Sequence, residues 1–379
     1  MIKKKSFLVT FTLMCILAVG IIFFTSCGKK TESKNASETQ VIKIGAILPL
    51  TGNIAYFGEY EKNALEVAMS RIKNKINGKL IEVVYEDSEN NPQKAVSAIN
   101  KLINNDKVVA VVTQMTNVSY AIAPIAQKNK IILLTLAMDP KVSAIGDYIF
   151  RIYESITDES KRLAEYFIKE ELKNIGIIYI DDLWGLEAHK VFLEKLKEKN
   201  INIIFSESFP GNLRDFKDLV KKIKSKNVQN IYIAAYGPCV AISCKQLKEG
   251  FPEIRLFGNI GMSWDYVIKM GGQALDESIL VMPNFYESEY EDTYFVKEYK
   301  KRFGKYPNFE GAFTFDLFNI LVSVIEKYGD SPTAIKDGLT TEREFSGING
   351  KYILDTNRNV SVTSGAIRKI KDGKLWALE

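Results

Sequence analysis

The sequence predicts an α/β protein made of two similar doubly wound units, each a mainly parallel sheet with helices on both faces. Three observations carry this. From Val41 to Leu134, short β-rich apolar runs alternate with amphipathic stretches, and the alternation restarts at Ser160 and continues to Val281. The run Val108–Val112 has no polar residue, as a strand covered on both faces requires. Beyond Pro283 the pattern changes to long helices followed by strands. One contiguous domain per half does not give that order, so the chain is expected to cross between two lobes several times.

Val41–Leu48 (VIKIGAIL) is a strand closed by Pro49. The next stretch begins as a Gly-containing loop and turns helical, with Ala64, Leu65, Ala68, Met69 and Ile72 at three- and four-residue steps. Leu80–Tyr85 is a strand, Pro92–Asn104 a helix with proline in its first turn, Val118–Lys128 a helix and Ile131–Leu134 a strand. The second unit runs helix Ser160–Glu171, strand Ile175–Ile180, amphipathic helix Leu183–Lys199, strand Ile201–Phe205, helix Phe216–Lys224, strand Ile231–Ala235 and helix Val240–Glu249. Strands Arg255–Phe257 and Ser278–Val281 complete it. Helices Tyr290–Phe303, Ala312–Tyr328 and Ser331–Asp337 follow, then strands Gly350–Leu354, Ser361–Lys371 and Lys374–Trp376, the last two turning at Asp372-Gly373. Open parallel sheets receive ligands at the carboxyl ends of their strands. Segments 49–58, 113–117, 135–140, 181–185, 236–239 and 258–263 are therefore the candidate binding loops.

Lys and Arg number 51 against 46 Asp and Glu, a formal charge of +5. Lys3, Lys4 and Lys5 lie in a leader without acids, so its removal leaves 5 − 3 = +2. A nearly neutral body argues against nucleic acid as a partner. The single histidine, His189, rules out a multi-histidine metal site and disfavours Ser-His-Asp or Cys-His chemistry. His189 itself reads as a surface or packed residue. There is no GxSxG, GxxxxGK or GxGxxG. The chain reads as a binder, not an enzyme, with no metal or cofactor.

At the N-terminus, Lys3–Lys5 precede the apolar run Phe7–Phe24, and Thr25-Ser26-Cys27-Gly28 follows. This resembles a lipoprotein signal peptide over 1–26, with Cys27 the lipidated first residue of the mature chain; Phe24 departs from the usual Leu, Val or Ile. An uncleaved anchor is the alternative, and both place the body outside the cytoplasm. Polar residues 27–40 read as a flexible tether. Of the body's two cysteines, Cys239 and Cys244, a reduced buried pair is expected over a disulfide.

Several stretches carry a family likeness. IKIGAILPLTGNIAYFGEYEKNALEVA, YEDSENNPQKAVSAINKLI, AIAPIAQKNKI, FRIYESITDES and FSGINGKYILDTNRN occur in that order between residues 41 and 379. Together they resemble the extracytoplasmic solute-binding proteins of ABC transporters, in the branch that binds leucine, isoleucine and valine. The resemblance implies a type I periplasmic binding protein fold, two lobes joined by three crossovers near 151–154, 282–286 and 345–350. Lobe 1 would be 41–152 plus 286–347, and lobe 2 would be 153–285 plus 348–379.

It also implies a pocket that holds an α-amino acid. Thr116 falls on the hydroxyl residue that grips the carboxylate, with Asn117 following at a helix start. Leu136, Ala137 and Met138 fall on the second polar loop, where a backbone carbonyl takes the ammonium; Met138 stands where the family has Thr. Ile260 falls on the acid that pairs with the ammonium, and isoleucine cannot do so. Asp265 or Glu310 is a possible substitute, though each reads more simply as a solvated surface acid. Phe57, Trp184 and Tyr236 fall on aromatic positions, with Tyr56 beside the first and Asp181, Asp182 and Gly185 flanking the second. An aromatic-lined cleft with few charges suits an apolar or planar ligand.

The expected function is capture of a small organic solute, an amino acid or a related apolar or aromatic compound, by a lipid-anchored extracytoplasmic monomer that hands it to an ABC permease. A sensory receptor of the same fold is the alternative. That the chain ends at Glu379 after strands weighs toward import.

Overall fold

Every second residue of Val41–Leu48 (β1) turns to the same side. Ile42, Ile44, Ala46 and Leu48 join one buried cluster and Ile47 another, so both faces are covered. The structure is a computed structural model that describes residues 40–52, 54–286, 289–362 and 365–378; the leader, Cys27 and the tether up to Thr39 lie outside the described residues. With β2 (Lys75–Ile76), β3 (Lys79–Asp87), β4 (Ala110–Thr113), β5 (Ile132–Thr135) and β6 (Ile149–Arg151), β1 forms a sheet in the order β2-β3-β1-β4-β5-β6. All its pairings are parallel except the short β2. Ile99 of α2 (Pro92–Lys101) and Val118 and Ile122 of α3 (Thr116–Asn129) cluster with Val111 and Leu133. Leu65 and Ala68 of α1 (Ala55–Arg71) cluster with Val112 and Leu134 on the other side.

The second sheet has the order β16-β15-β11-β10-β9-β7-β8. Its parallel part is β7 (Ile175–Ile180), β8 (Ile203–Phe209), β9 (Asn230–Ala234), β10 (Arg255–Gly258) and β11 (Ile279–Pro283). β15 (Gly365–Lys371) and β16 (Lys374–Ala377) extend it antiparallel from β11. Its helices are α4 (Ile156–Lys169), α5 (Leu183–Lys197), α6 (Lys217–Ser225), α7 (Pro238–Gly250) and α8 (Asp265–Gly271). In each sheet the strand order reverses once, between β1 and β4 and between β7 and β9. In open α/β sheets, such reversals are where ligands bind, in the crevice outside the carboxyl ends of the strands.

The helices after Pro283 return to the first sheet. α9 (Tyr294–Phe303) and α10 (Phe309–Tyr328) pack on α1, and α11 (Pro332–Glu342) on α10 and β5. Next comes a small third sheet, β12 (Glu344–Gly347), β13 (Gly350–Leu354) and β14 (Val360–Val362). The chain thus does not enter the second sheet at residue 348, as expected, but at Gly365. The stretch that reads as one strand, Ser361–Lys371, splits between two sheets. Asp316 explains the placement: buried on α10, it accepts from the backbone N–H of Ile348 (2.7 Å) and Asn349 (2.9 Å) and the Tyr352 hydroxyl (2.5 Å). These donors hold the β12–β13 turn against the first half.

Buried arginines tie down the other passages. Arg151 Nε donates to Asn359 Oδ1 (2.9 Å), Nη1 to the carbonyls of Tyr153 (2.5 Å) and Ala137 (3.3 Å), and Nη2 to that of Val360 (3.3 Å). Arg368 of β15 pairs with Glu289 (2.7 Å) and donates to the Asn284 carbonyl (3.1 Å). Cys239 and Cys244 are buried free thiols.

Candidate functional site

At the end of β1, Asp87 accepts from Leu50 N (2.9 Å) and Thr51 Oγ1 (2.6 Å), which fixes the loop leading to α1. α1 then starts unusually close to that loop. A Cβ on Gly58 would lie 2.3 Å from the Pro49 carbonyl oxygen, so only glycine fits. The close start projects Tyr56 and Phe57 from the first turn.

At the end of β4, Met115 has φ +33°, a strained backbone for a residue with a side chain. Strain of this kind collects where position matters more than stability. Thr116 begins α3, and its Oγ1 accepts from Met138 N (3.2 Å), joining two of the expected binding loops. Leu136 and Ala137 are interior residues: Leu136 N donates to the Thr113 carbonyl (3.0 Å), Ala137 N to Thr135 Oγ1 (3.0 Å), and the Ala137 carbonyl serves Arg151. Asn117 is exposed and turns its amide to the Asn90 carbonyl (3.2 Å).

The second sheet contributes from β7 and β9. Asp182 caps α5 through Gly185 N (2.8 Å), and its other oxygen accepts from the Tyr236 hydroxyl (2.6 Å). The Trp184 and Tyr236 rings meet edge to face at 5.4 Å. Tyr236 remains 39% exposed, and the Trp184 Nε1 has no partner. Ile260 is only 3% exposed and belongs to the core, with its backbone N–H beside Glu159. After β10, Trp264 and Tyr266 reach the opposite half. Trp264 lies edge-on to Phe57 at 5.5 Å and Tyr266 edge-on to Tyr56 at 6.3 Å.

Two buried acids lie close together, Glu61 on α1 and Glu310 on α10. Glu310, in the first turn of α10, accepts from Gln114 Nε2 (2.8 Å) and from the Tyr153 hydroxyl (3.1 Å to each oxygen). Burial pushes its carboxyl up to about 8, with those two donors pulling back. Glu61, one helical turn after Phe57, is fully buried and neither oxygen has a partner; burial first, and then Glu310, raise it well above the carboxylate range. This corrects the surface expectation for Glu310, which is 3% exposed because α10 lies against α1. Asp265 does lie at the surface.

Comparison with known proteins decides the family. A family model described as "Periplasmic binding protein" matches residues 41–374. The chain belongs to this family. As a periplasmic binding protein it is similar to the Leu/Ile/Val-binding protein of Escherichia coli (strain K12), 22% identical over 258 residues, 67% of this chain and 70% of that one. Its structure is similar to a leucine binding protein from Thermotoga maritima, with TM-score 0.79 and 24% identity over 89% of this chain and 98% of that one. It is also similar to a solute binding protein of an ABC transporter from R. palustris in complex with benzoate, with TM-score 0.76 and 20% identity over 89% and 95%. The fold is therefore the two-lobed type I fold, and the homologues are solute-binding proteins outside the cytoplasm, not enzymes. Among the described residues, no His/Cys/Asp/Glu cluster could hold a metal, and no helix is long and apolar enough to cross a membrane.

Several residues of this candidate site are not evident from sequence. Trp264 and Tyr266 lie just past segment 258–263, the last of the expected loops; extending it by one turn finds them. Gln114 lies within segment 113–117, where Thr116 is the more conspicuous residue. Glu61 and Tyr153 give no signal, since a lone acid on a helix and a lone tyrosine at a crossover are common.

Proposed function

We propose that this chain captures a small organic solute, an amino acid or an aromatic acid, between its two halves outside the cytoplasm and delivers it to an ABC permease. Cys27 carries the lipid that keeps it at the membrane. The lobes are 41–152 plus 286–347, and 153–285 plus 365–378, with the small third sheet attached to the first. The observation that carries this reading is the contact between the start of α1, which follows β1 at the first sheet's strand-order reversal, and the segment after β10 of the second sheet: Phe57 against Trp264 at 5.5 Å and Tyr56 against Tyr266 at 6.3 Å. Ligand contacts to both halves favour the closed arrangement, and only that difference in affinity drives closure. Thr116, Phe57, Trp184, Tyr236 and Met138 are the proposed contacts. The names of the relatives support amino acids or aromatic acids as the class.

The test is thermal stabilisation of the purified protein against leucine, isoleucine, valine and benzoate, followed by small-angle scattering with and without the best compound. Saturable stabilisation with a decrease in radius of gyration is expected. Binding with no change in scattering would overturn capture by closure.

A further inference from the structure

We propose that Glu154, Glu159 and Arg162 form a proton-operated latch at the passage between the two halves, which holds them docked while the two acids keep a proton and lets them part when it is lost; this rests on the capture-by-closure reading above. The passage is short. β6 of the first sheet ends at Arg151, and α4, which packs on β11 and β15 of the second, begins at Ile156. Glu154 lies between them and is 0% exposed. It is covered from both sides. Arg162 of α4 pairs with its Oε1, while its Oε2 has no partner. Tyr352 of β13, in the small sheet held to the first half, lies within reach of its charge.

Arg162 also serves the place where the chain enters the second sheet again. Its guanidinium lies directly on Gly365, the first residue of β15, where a Cβ would fall 1.4 Å from Nη1. Only glycine leaves that space. One cation therefore joins the passage at Glu154 to the start of β15.

A second buried acid competes for that cation. Glu159 of α4 is also 0% exposed, and neither of its oxygens has a hydrogen-bond partner, with the Ile260 N–H beside it. The groups that face the two acids are Arg151 and Tyr153 on the passage, Asp158 and Arg162 on α4, and Tyr352 on β13. Arg151 is committed to backbone carbonyls and Asn359, Asp158 accepts from the Ser155 hydroxyl, and Arg368 on β15 is paired with Glu289. One partner cation cannot balance two buried carboxylates, so one acid keeps its proton. Burial, against the pull of Arg162, raises Glu154 to about 7; burial and then Glu154 raise Glu159 well above the carboxylate range.

The two acids differ in what covers them. Glu159 lies against the loop after β10, within its own half. Glu154 is covered by both halves, so parting them wets it and returns it toward 4.5. Between 4.5 and about 7 the docked form holds a proton that the parted form has released. Docking is fully supported below that window and loses the support as pH rises through it. The loop beside Glu159 also carries Trp264, which meets Phe57 of the first half and so reports docking.

The experiment follows the purified full chain, labelled with 5-fluorotryptophan, by fluorine NMR from about pH 5 to pH 9, with Trp264→Phe to assign the Trp264 line. The expected result is that the docked-to-parted ratio read at Trp264 falls by about tenfold or more between pH 5 and pH 7.5 and then levels off. Glu154→Gln should remove most of that fall. Arg162→Gln should move it to higher pH, because the cation that holds Glu154 down is gone. Glu159→Gln, which leaves Arg162 to Glu154 alone, should move it to lower pH and gives the reading if Arg162→Gln does not fold. An undiminished fall in Glu154→Gln overturns the latch, as does a shift of the same sign in the other two variants. A wild-type line that ignores pH but moves on saturation with leucine or benzoate overturns the latch and leaves capture by closure intact. A line that ignores pH and a saturating, stabilising compound alike overturns both.

Discussion

Replacing Glu310 by glutamine should make the empty protein more stable, and increasingly so as the pH rises. Burial holds the Glu310 carboxyl at about 8 in the folded chain against an ordinary value of 4.5. Between those values the folded state binds the proton that the unfolded state has released, so stability falls as pH rises. The stabilising contribution of the neutral acid is complete below 4.5 and is lost on passing through about 8. A shift from 4.5 to about 8 corresponds to a ceiling of about 5 kcal/mol, and relaxation around a charged Glu310 reduces what is seen. The groups that face it are Tyr153 on the crossover and Tyr56 and Glu61 on α1. Glu61 is raised in the same direction and remains in the variant, so some pH dependence persists. Glutamine keeps an oxygen for Gln114 Nε2 and the Tyr153 hydroxyl but cannot ionise. Urea unfolding of both proteins at pH 5 and pH 8.5 should therefore show the variant gaining about 2–5 kcal/mol on the wild type between the two conditions. Parallel pH profiles would refute the assignment of a neutral buried acid at this position.

Trp184→Ala should weaken binding of whichever compound stabilises the protein by about 1–3 kcal/mol, read by calorimetry, because it removes half of the Trp184–Tyr236 pair. Arg151→Met should cost about 3 kcal/mol or more in urea unfolding, since it strands buried carbonyls at Ala137, Tyr153 and Val360. Cys239 and Cys244 should resist a thiol reagent in the native protein and titrate as two free thiols after unfolding; burial pushes the Cys244 thiol up to about 12. Gly185→Ala should lower the melting temperature sharply, because its Cβ would sit 2.1 Å from the Ile180 carbonyl oxygen.

Much of the fold is legible in the amino-acid sequence. Strands β1, β4, β7 and β9 announce themselves because both their faces are covered, which leaves nearly unbroken apolar runs. What periodicity does not report is which sheet a strand joins. Ser361–Lys371 looks continuous by composition, yet β14 and β15 pair with different partners. The short β6 leaves no trace because three residues cannot establish a period. At the site, the aromatic residues that begin helices after strands are visible in sequence, since topology marks such loops. Glu310 is not. An acid in sequence is by default a surface residue, and only the packing of α10 on α1 turns it inward. Ile260 is unable to hold an ammonium by its chemistry alone, and the structure adds that it is core.

The hold of Arg151 has a mechanical side. Its guanidinium fastens the start of the first crossover to the loop after β5 and to Asn359 and Val360 at once. The little β12–β14 sheet is thereby riveted to the larger first one and travels with it. Under the proposed closure, the bending of this first passage falls after Glu154, on the far side of the rivet. Substitutions around the rivet would consequently alter how often the mouth stands ajar without touching a single atom of the cargo.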